Sequence, residues 1–140
     1  MKQEPYITVA EIMSRDVRTI DSMATVRQAM EKMATEGVTS LVVDRRDEKD
    51  EYGVVVITDI AREVVAKNLS FDRVQVYEVM NKPVLAVDPG MDLRYAIRLL
   101  VRFGLRRALV LGPDRQIQGV VTMRDMVLRY VRSQDEEGGS

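Results

Sequence analysis

The chain has 140 residues, of which 46% are hydrophobic and 31% charged, and its formal net charge is −1. This composition is typical of a globular protein with a hydrophobic core, and it gives no bulk attraction to nucleic acid or to an anionic membrane. Cysteine and histidine are both absent, which excludes disulfides, thiolate or imidazole metal sites, cysteine nucleophiles and histidine general bases.

The N-terminus does not indicate a signal peptide, and the C-terminal residues are polar. The N-terminus, MKQEPYITVAEIM, lacks the basic start and apolar centre of a signal peptide, and no apolar run approaches the roughly 20 residues that span a bilayer. We therefore expect a cytoplasmic protein that makes no membrane contact. Residues 133–140, SQDEEGGS, are polar and acidic and are predicted to form a disordered tail.

The chain contains an internal repeat. Sliding the sequence against itself by about 67 residues aligns residues 9–43 with 76–110 and, after a one-residue difference in a loop, residues 53–59 with 119–125. We expect the first repeat within residues 1–75, with its core at about 9–67, and the second within residues 76–132.

Each repeat begins with a predicted strand and helix. The strand is a short β-branched stretch, residues 17–20 or 84–87. The helix after it has apolar residues at a spacing of 3.6. The following residues are predicted to cap these helices: Thr25 with Gln28 in a capping box, Asp92, and the terminal glycines Gly37 and Gly104.

Two buried strands and a second helix complete each repeat. The strands are predicted at residues 41–43 and 53–57, and at 108–111 and 119–123. The second helix is predicted to start at Asp59 or Asp125. Methionines at helical spacing, Met30, Met33 and Met126, are interpreted as core residues rather than as a soft binding groove.

The connector between the strands of the first repeat, residues 44–51, has the sequence DRRDEKDE. Eight consecutive charged side chains cannot be buried at an acceptable cost, so a solvated hairpin loop is predicted. An acidic metal site is the alternative, but the alternating signs favour neutralisation within the loop.

The layout and motifs resemble the cystathionine-β-synthase-type (CBS) domain family from about Val9 to Arg132. The family's late-strand motif, which is glycine, two aliphatics, Thr or Ser, two further residues and Asp, stands here as GVVTMRD, residues 119–125. In the first repeat it reads GVVVITD, residues 53–59, which departs at Val56, where the family usually has a hydroxyl. The resemblance implies an α+β fold of tandem CBS repeats, each strand-helix-strand-strand-helix, packed about a pseudo-two-fold axis as a Bateman module.

Asp59 and Asp125 each have two interpretations. A carboxylate at the first turn of a helix is a common N-cap, which contributes roughly 1 kcal/mol. Alternatively, the N–H groups at the start of the helix favour a phosphate, a hydroxyl of Thr122 or Thr58 donates to it, and the carboxylate accepts from ribose hydroxyls. The second interpretation predicts a nucleotide site.

The resemblance implies two crossed clefts, in which the aspartate of one repeat meets the early strands of the other. Asp125, Thr122 and Arg124 are expected to share one cleft with Val17, Arg18 and Thr19 and with Val38, Thr39 and Ser40. Asp59 and Thr58 are expected to share the other with Val84, Leu85 and Ala86 and with Leu105, Arg106 and Arg107.

The pair Arg106 and Arg107 makes the two clefts unequal. A guanidinium binds phosphate through two parallel hydrogen bonds, and Thr39 and Ser40 stand at the corresponding positions of the first repeat. A solubilising role at the surface is the alternative. One cleft therefore has the Thr122 hydroxyl and the other the arginine pair, so that one site dominates or the two prefer different numbers of phosphates.

The resemblance implies a regulatory module that binds AMP, ADP or ATP, forms a homodimer and acts on a protein partner in trans. No cofactor is required, and neither a catalytic constellation nor a metal site is expected. A ligand-independent interaction scaffold is the alternative, and S-adenosylmethionine or NAD are alternative ligands because they share the adenosine half. Arg124, Arg129 and Arg132 lack the context of a DNA-reading helix, so no nucleic acid is expected.

Overall fold

The chain folds into two units, each built around its own core. The computed structural model describes residues 6–137. The first unit is Arg18–Val84, and the second combines residues 6–17 with residues 85–137. The units are therefore offset from the sequence repeats, because the segment before the first strand of each repeat packs in the unit of the other repeat.

The first unit contains three strands and two main helical segments. Its elements are β1 (Thr19–Ile20), α1 (Val26–Glu36), β2 (Ser40–Val43), β3 (Gly53–Val56), α2 (Ile57–Ile60), a π-helical continuation of α2 (Ala61–Val65) and a 3₁₀ turn (Val76–Glu78).

The second unit has the same order of strands and helices, but its elements begin with the 3₁₀ turn. They are a 3₁₀ turn (Val9–Glu11), β4 (Ala86–Val87), α3 (Leu93–Phe103), β5 (Arg107–Leu111), β6 (Ile117–Thr122) and α4 (Met123–Glu137). The predicted α+β fold, with strand, helix, strand, strand and helix in each repeat, is confirmed.

Each unit has one small mixed sheet. In the first, β1 pairs parallel with β2, with Thr19 opposite Val42, and β2 pairs antiparallel with β3. In the second, β4 pairs parallel with β5 and β5 antiparallel with β6. A parallel pair needs a crossover connection, and α1 and α3 supply it.

The predicted helix caps are confirmed. The Thr25 hydroxyl accepts a hydrogen bond from the Gln28 N–H, and the Thr25 N–H donates to the Gln28 side-chain oxygen. The Asp92 carboxylate accepts from the Arg94 N–H. Gly37 and Gly104 end α1 and α3 at φ of 68° and 66°, a backbone conformation that glycine adopts without strain.

Each core lies between a sheet and its helices. The first contains Val26, Met33, Leu41, Val55 and Ile60, with Met30 packed against it. The second contains Leu93, Leu100, Val110, Val121 and Met126. The three methionines are therefore core residues, as predicted. Burial of each large aliphatic side chain stabilises the fold by roughly 1.5–3 kcal/mol.

Three sequence predictions need correction. The second helices begin at Ile57 and Met123, two residues before Asp59 and Asp125. Residues 133–137 are helical rather than part of a disordered tail, because the Ser133 hydroxyl is buried and donates to the Tyr130 carbonyl, which continues α4. The rest of the predicted tail, residues 138–140, lies outside the described residues.

The charged connector is anchored rather than wholly solvated. The Asp50 side chain, which is only 11% exposed, pairs with Lys82 and accepts from the Arg46 N–H at 2.9 Å. The Arg45 guanidinium lies over the ring of the buried Tyr52. Among the described residues, no group of three or more acidic side chains could hold a metal ion.

Candidate functional site

The motif glycines allow two backbones to approach closely. The Ser14 N–H donates to the Val120 carbonyl, and the Val120 N–H donates to the Ser14 carbonyl. Asn81 forms the same pair of backbone hydrogen bonds with Val54. A Cβ at Gly119 would lie 2.6 Å from the Ser14 carbonyl oxygen, and one at Gly53 would lie 3.0 Å from that of Asn81. These glycines therefore serve packing rather than ligand binding.

The junction between strand and helix is built alike in the two units. The Ile57 N–H donates to the Thr39 carbonyl at 2.9 Å, and the Met123 N–H donates to the Arg106 carbonyl at 2.7 Å. Arg107 lies opposite Thr122 across β5 and β6. Within the second unit, the arginine pair is thus beside the start of α4.

The Asp59 carboxylate is buried and already bound at both oxygens. Its side chain is 11% exposed. Oδ1 accepts from Arg62 Nη2 at 2.6 Å, and Oδ2 accepts from Asn81 Nδ2 at 2.7 Å. The hydrogen bond to Asp59 raises the pKa of the Arg62 guanidinium. Asp59 caps no helix, because α2 starts before it.

The Asp125 carboxylate is in a different state. Its side chain is 53% exposed, and Arg124 Nη1 contacts Oδ1 at a long 3.4 Å. The Asp125 N–H donates to Thr122 Oγ1 at 3.2 Å. Thr122 is therefore the residue that caps α4, and the Asp125 carboxylate projects from the first turn with room for further donors.

Two substitutions between the repeats explain the difference. Arg62 is the third residue after Asp59, and Leu128, which cannot donate, is the third after Asp125. Asn81 corresponds to Ser14, since each bridges the equivalent valine of its unit. The helix after Asp59 also widens to a π-helix at Ala61–Val65, whereas α4 is α-helical throughout.

The arginine pair offers cations near the start of α4. Arg106 is exposed and Arg107 is partly buried. Over the described residues, no ion pair is formed by either side chain. Two guanidinium groups without carboxylate partners remain able to bind an anion.

The predicted site residues belong to both units. Every one lies in the described part of the chain, and of them only Asp59 is buried. Asp125, Thr122, Arg124 and Val17 are in the second unit, and Arg18, Thr19, Val38, Thr39 and Ser40 are in the first. Asp59, Thr58 and Val84 are in the first unit, and Leu85, Ala86, Leu105, Arg106 and Arg107 are in the second. The crossed grouping of these residues stays a prediction.

A family comparison accounts for this architecture. The CBS domain matches twice, at residues 9–66 and 76–132. The chain belongs to the CBS-domain family. Tandem CBS pairs generally bind adenosyl ligands as regulatory modules.

Individual CBS relatives resemble the chain in sequence and in structure. An uncharacterised protein of Methanopyrus kandleri is 31% identical over 122 residues, which make up 86% of this chain and 61% of that protein. The hexameric CBS-CP12 protein from bloom-forming cyanobacteria superposes with a TM-score of 0.81 at 32% identity, covering 91% of this chain and 74% of that one. The chain thus spans about three fifths of the Methanopyrus protein.

A third relative was solved with a nucleotide. The CBS domain protein PAE2072 from Pyrobaculum aerophilum, complexed with AMP, superposes with a TM-score of 0.75 at 24% identity, covering 90% of this chain and 99% of that one. At 24% identity, this similarity shows that the two proteins share a fold. No helix within residues 6–137 is both long and apolar enough to cross a membrane.

Sequence reasoning missed the residues that distinguish the two aspartates of this CBS pair. Neither Arg62 nor Asn81 was among the predicted site residues, and both bind Asp59. The repeat itself held the signal, because alignment of the repeats sets Arg62 against Leu128 and Asn81 against Ser14.

Proposed function

We propose that this CBS pair binds an adenine nucleotide through Asp125 and regulates a protein partner in trans. The observation that carries the proposal is the exposed Asp125 carboxylate on the first turn of α4, beside the Thr122 cap. An ionised carboxylate accepts two hydroxyl donors well, so it suits the two adjacent hydroxyls of a ribose.

The surroundings of Asp125 suit a phosphate. The N-terminal N–H groups of a 15-residue helix carry partial positive charge, which favours an anion. Arg106 and Arg107 lie in the same unit, and the Arg106 carbonyl binds the first N–H of α4. That backbone groups of residues 17–19 and 38–40 bind the adenine edge stays a prediction from the family resemblance.

The family and the AMP-bound Pyrobaculum structure support an adenosyl ligand. AMP, ADP and ATP are the proposed ligands. S-adenosylmethionine and NAD contain the same adenosine group, so they belong in any ligand panel. No catalytic step is proposed for this chain.

Thermal unfolding with a ligand panel tests the proposal. A ligand that binds only the folded protein at 100 times its Kd stabilises it by about 2.7 kcal/mol, which raises the Tm by roughly 5–10 °C for a chain of this size. We expect that rise with at least one adenine nucleotide. Loss of the shift in Asp125→Asn, with the shift retained in the control Asp135→Asn on the same helix, supports Asp125. No shift with any adenosyl ligand at millimolar concentration contradicts the proposal.

A homodimer is part of the proposal. Three apolar side chains on α4, Val127, Leu128 and Val131, are exposed, and Val101 and Phe103 of the neighbouring α3 are exposed as well. Such faces are often covered by a second copy of the same chain.

A further inference from the structure

We propose that Arg62 and Asn81 close the Asp59 carboxylate to ribose, so that each chain binds one nucleotide, at Asp125. This inference rests on the proposed function and specifies which of the two repeats supplies the working carboxylate. It follows from the contacts within each unit.

The two donors and the burial of the carboxylate together close Asp59 to ribose hydroxyls. Each carboxylate oxygen already accepts from a side chain, at 2.6 Å and 2.7 Å, and the group is 11% exposed. A ribose hydroxyl is a neutral donor, whereas the Arg62 guanidinium adds the attraction of a full positive charge to its hydrogen bond with the carboxylate. Ribose therefore cannot displace Arg62 by exchange of hydrogen bonds alone.

The geometry keeps the two donors in place. Asn81 is held beside Asp59 by its two backbone hydrogen bonds with Val54, at 3.0 Å and 2.8 Å. Arg62 lies three residues after Asp59 on the same helical segment, and it also contacts Glu63 at 3.2 Å. Both donors are therefore part of the folded first unit before any ligand arrives.

The second repeat lacks both donors at the same positions. Leu128 stands where Arg62 would be, and Ser14 bridges Val120 as Asn81 bridges Val54. Asp125 consequently stays 53% exposed. Exchanging these residues between the repeats should therefore expose the carboxylate of Asp59 or cover that of Asp125.

Calorimetric titration with AMP tests the inference. We expect the wild-type chain to bind one AMP. Arg62→Leu with Asn81→Ser, which copies the second repeat into the first, should bind two. Asp125→Asn alone should bind no AMP, and adding Arg62→Leu and Asn81→Ser to it should restore one site, at Asp59. Arg73→Leu, which removes an exposed arginine elsewhere in the first unit, is the matched control and should still bind one.

The reciprocal exchange keeps the inference testable if the opened variant does not fold. Leu128→Arg with Ser14→Asn places both donors on Asp125, and since both positions are exposed the variant should fold. AMP affinity should fall at least about tenfold. Gln116→Arg, which adds the same charge at an exposed position of the second unit outside α3 and α4, should keep its affinity.

The outcomes separate the inference from the proposed function. Two AMP molecules on the wild-type chain, or one on the folded Arg62→Leu/Asn81→Ser variant, would overturn the inference and leave nucleotide binding intact. No binding to the wild-type chain with one site on the opened variant would overturn the proposed site at Asp125 and support the closure of Asp59. No binding to any variant would overturn both.

Discussion

At the scale of single residues, the motif glycine and the motif aspartate have different tasks. Gly119 lets the Ser14 backbone bridge Val120, and Asp125 is left exposed two residues into α4. A motif of this kind therefore combines a packing requirement with a binding group. Both motif glycines lie against a backbone oxygen, whereas the motif aspartate is buried in the first repeat and exposed in the second.

Gly119→Ala should destabilise the second unit. Its Cβ would lie 2.6 Å from a backbone oxygen that cannot move without breaking the bridge to Val120, and such overpacking costs roughly 1–3 kcal/mol. Urea unfolding measures the loss. Gly90→Ala, where a Cβ meets nothing within 4 Å, is the control. A Gly119→Ala protein as stable as the Gly90→Ala protein would contradict this account of the motif glycine.

Asp50 gives the fold a predictable acid sensitivity. The Lys82 ammonium, followed by the Arg46 N–H, holds the pKa of Asp50 far below its ordinary value. The folded pKa is lower than the unfolded value of about 3.9, so this stabilisation is complete above that pH and is lost as the pH falls below it. Glu11 and Asp72 have lowered pKa values as well, through Thr8 and Arg27.

Asp50→Asn should lower the Tm at pH 7. Between pH 7 and pH 3, the Tm of this variant should fall by less than the Tm of the wild-type protein. Thermal scans at the two pH values measure the difference. Glu48→Gln, a charge removal in the same loop, is the control. An acid loss as large in Asp50→Asn as in the wild-type protein would show that the Lys82 contact does not contribute.

At the scale of elements, local signals determined most of what could be predicted. The ends of α1 were predictable from Thr25, Gln28 and Gly37, because a helix cap depends on residues only three or four positions away. The starts of α2 and α4 were misplaced, because Asp59 and Asp125 look like caps in sequence although Val56 and Thr122 precede the helices. The polar composition of residues 133–137 predicts a tail, yet these residues extend α4.

The contacts that could not be predicted are those between distant segments. The Ser14–Val120 and Val54–Asn81 bridges join residues far apart in sequence, and they place the leading segment of each repeat in the other repeat's unit. The burial of Asp59 follows only once Asn81 is known to reach it.

At the scale of the whole molecule, the proposed homodimer depends on the exposed apolar face of α4. Val131→Glu places a charge on that face and should convert a dimer into a monomer, because a buried unpaired carboxylate is costly. Light scattering during size exclusion measures the mass. Met23→Glu, at an exposed apolar site of the first unit, is the control and should remain dimeric. A Val131→Glu dimer would contradict this interface.

The central claim is that the Asp125 carboxylate holds the ribose of an adenine nucleotide. Calorimetry with AMP and 2′,3′-dideoxy-AMP, each on the wild-type and Asp125→Asn proteins, forms a cycle that isolates this contact. We predict that loss of the hydroxyls weakens binding to the wild-type protein at least about tenfold and has no further effect on Asp125→Asn. Equal discrimination between the two ligands by both proteins would contradict the claim.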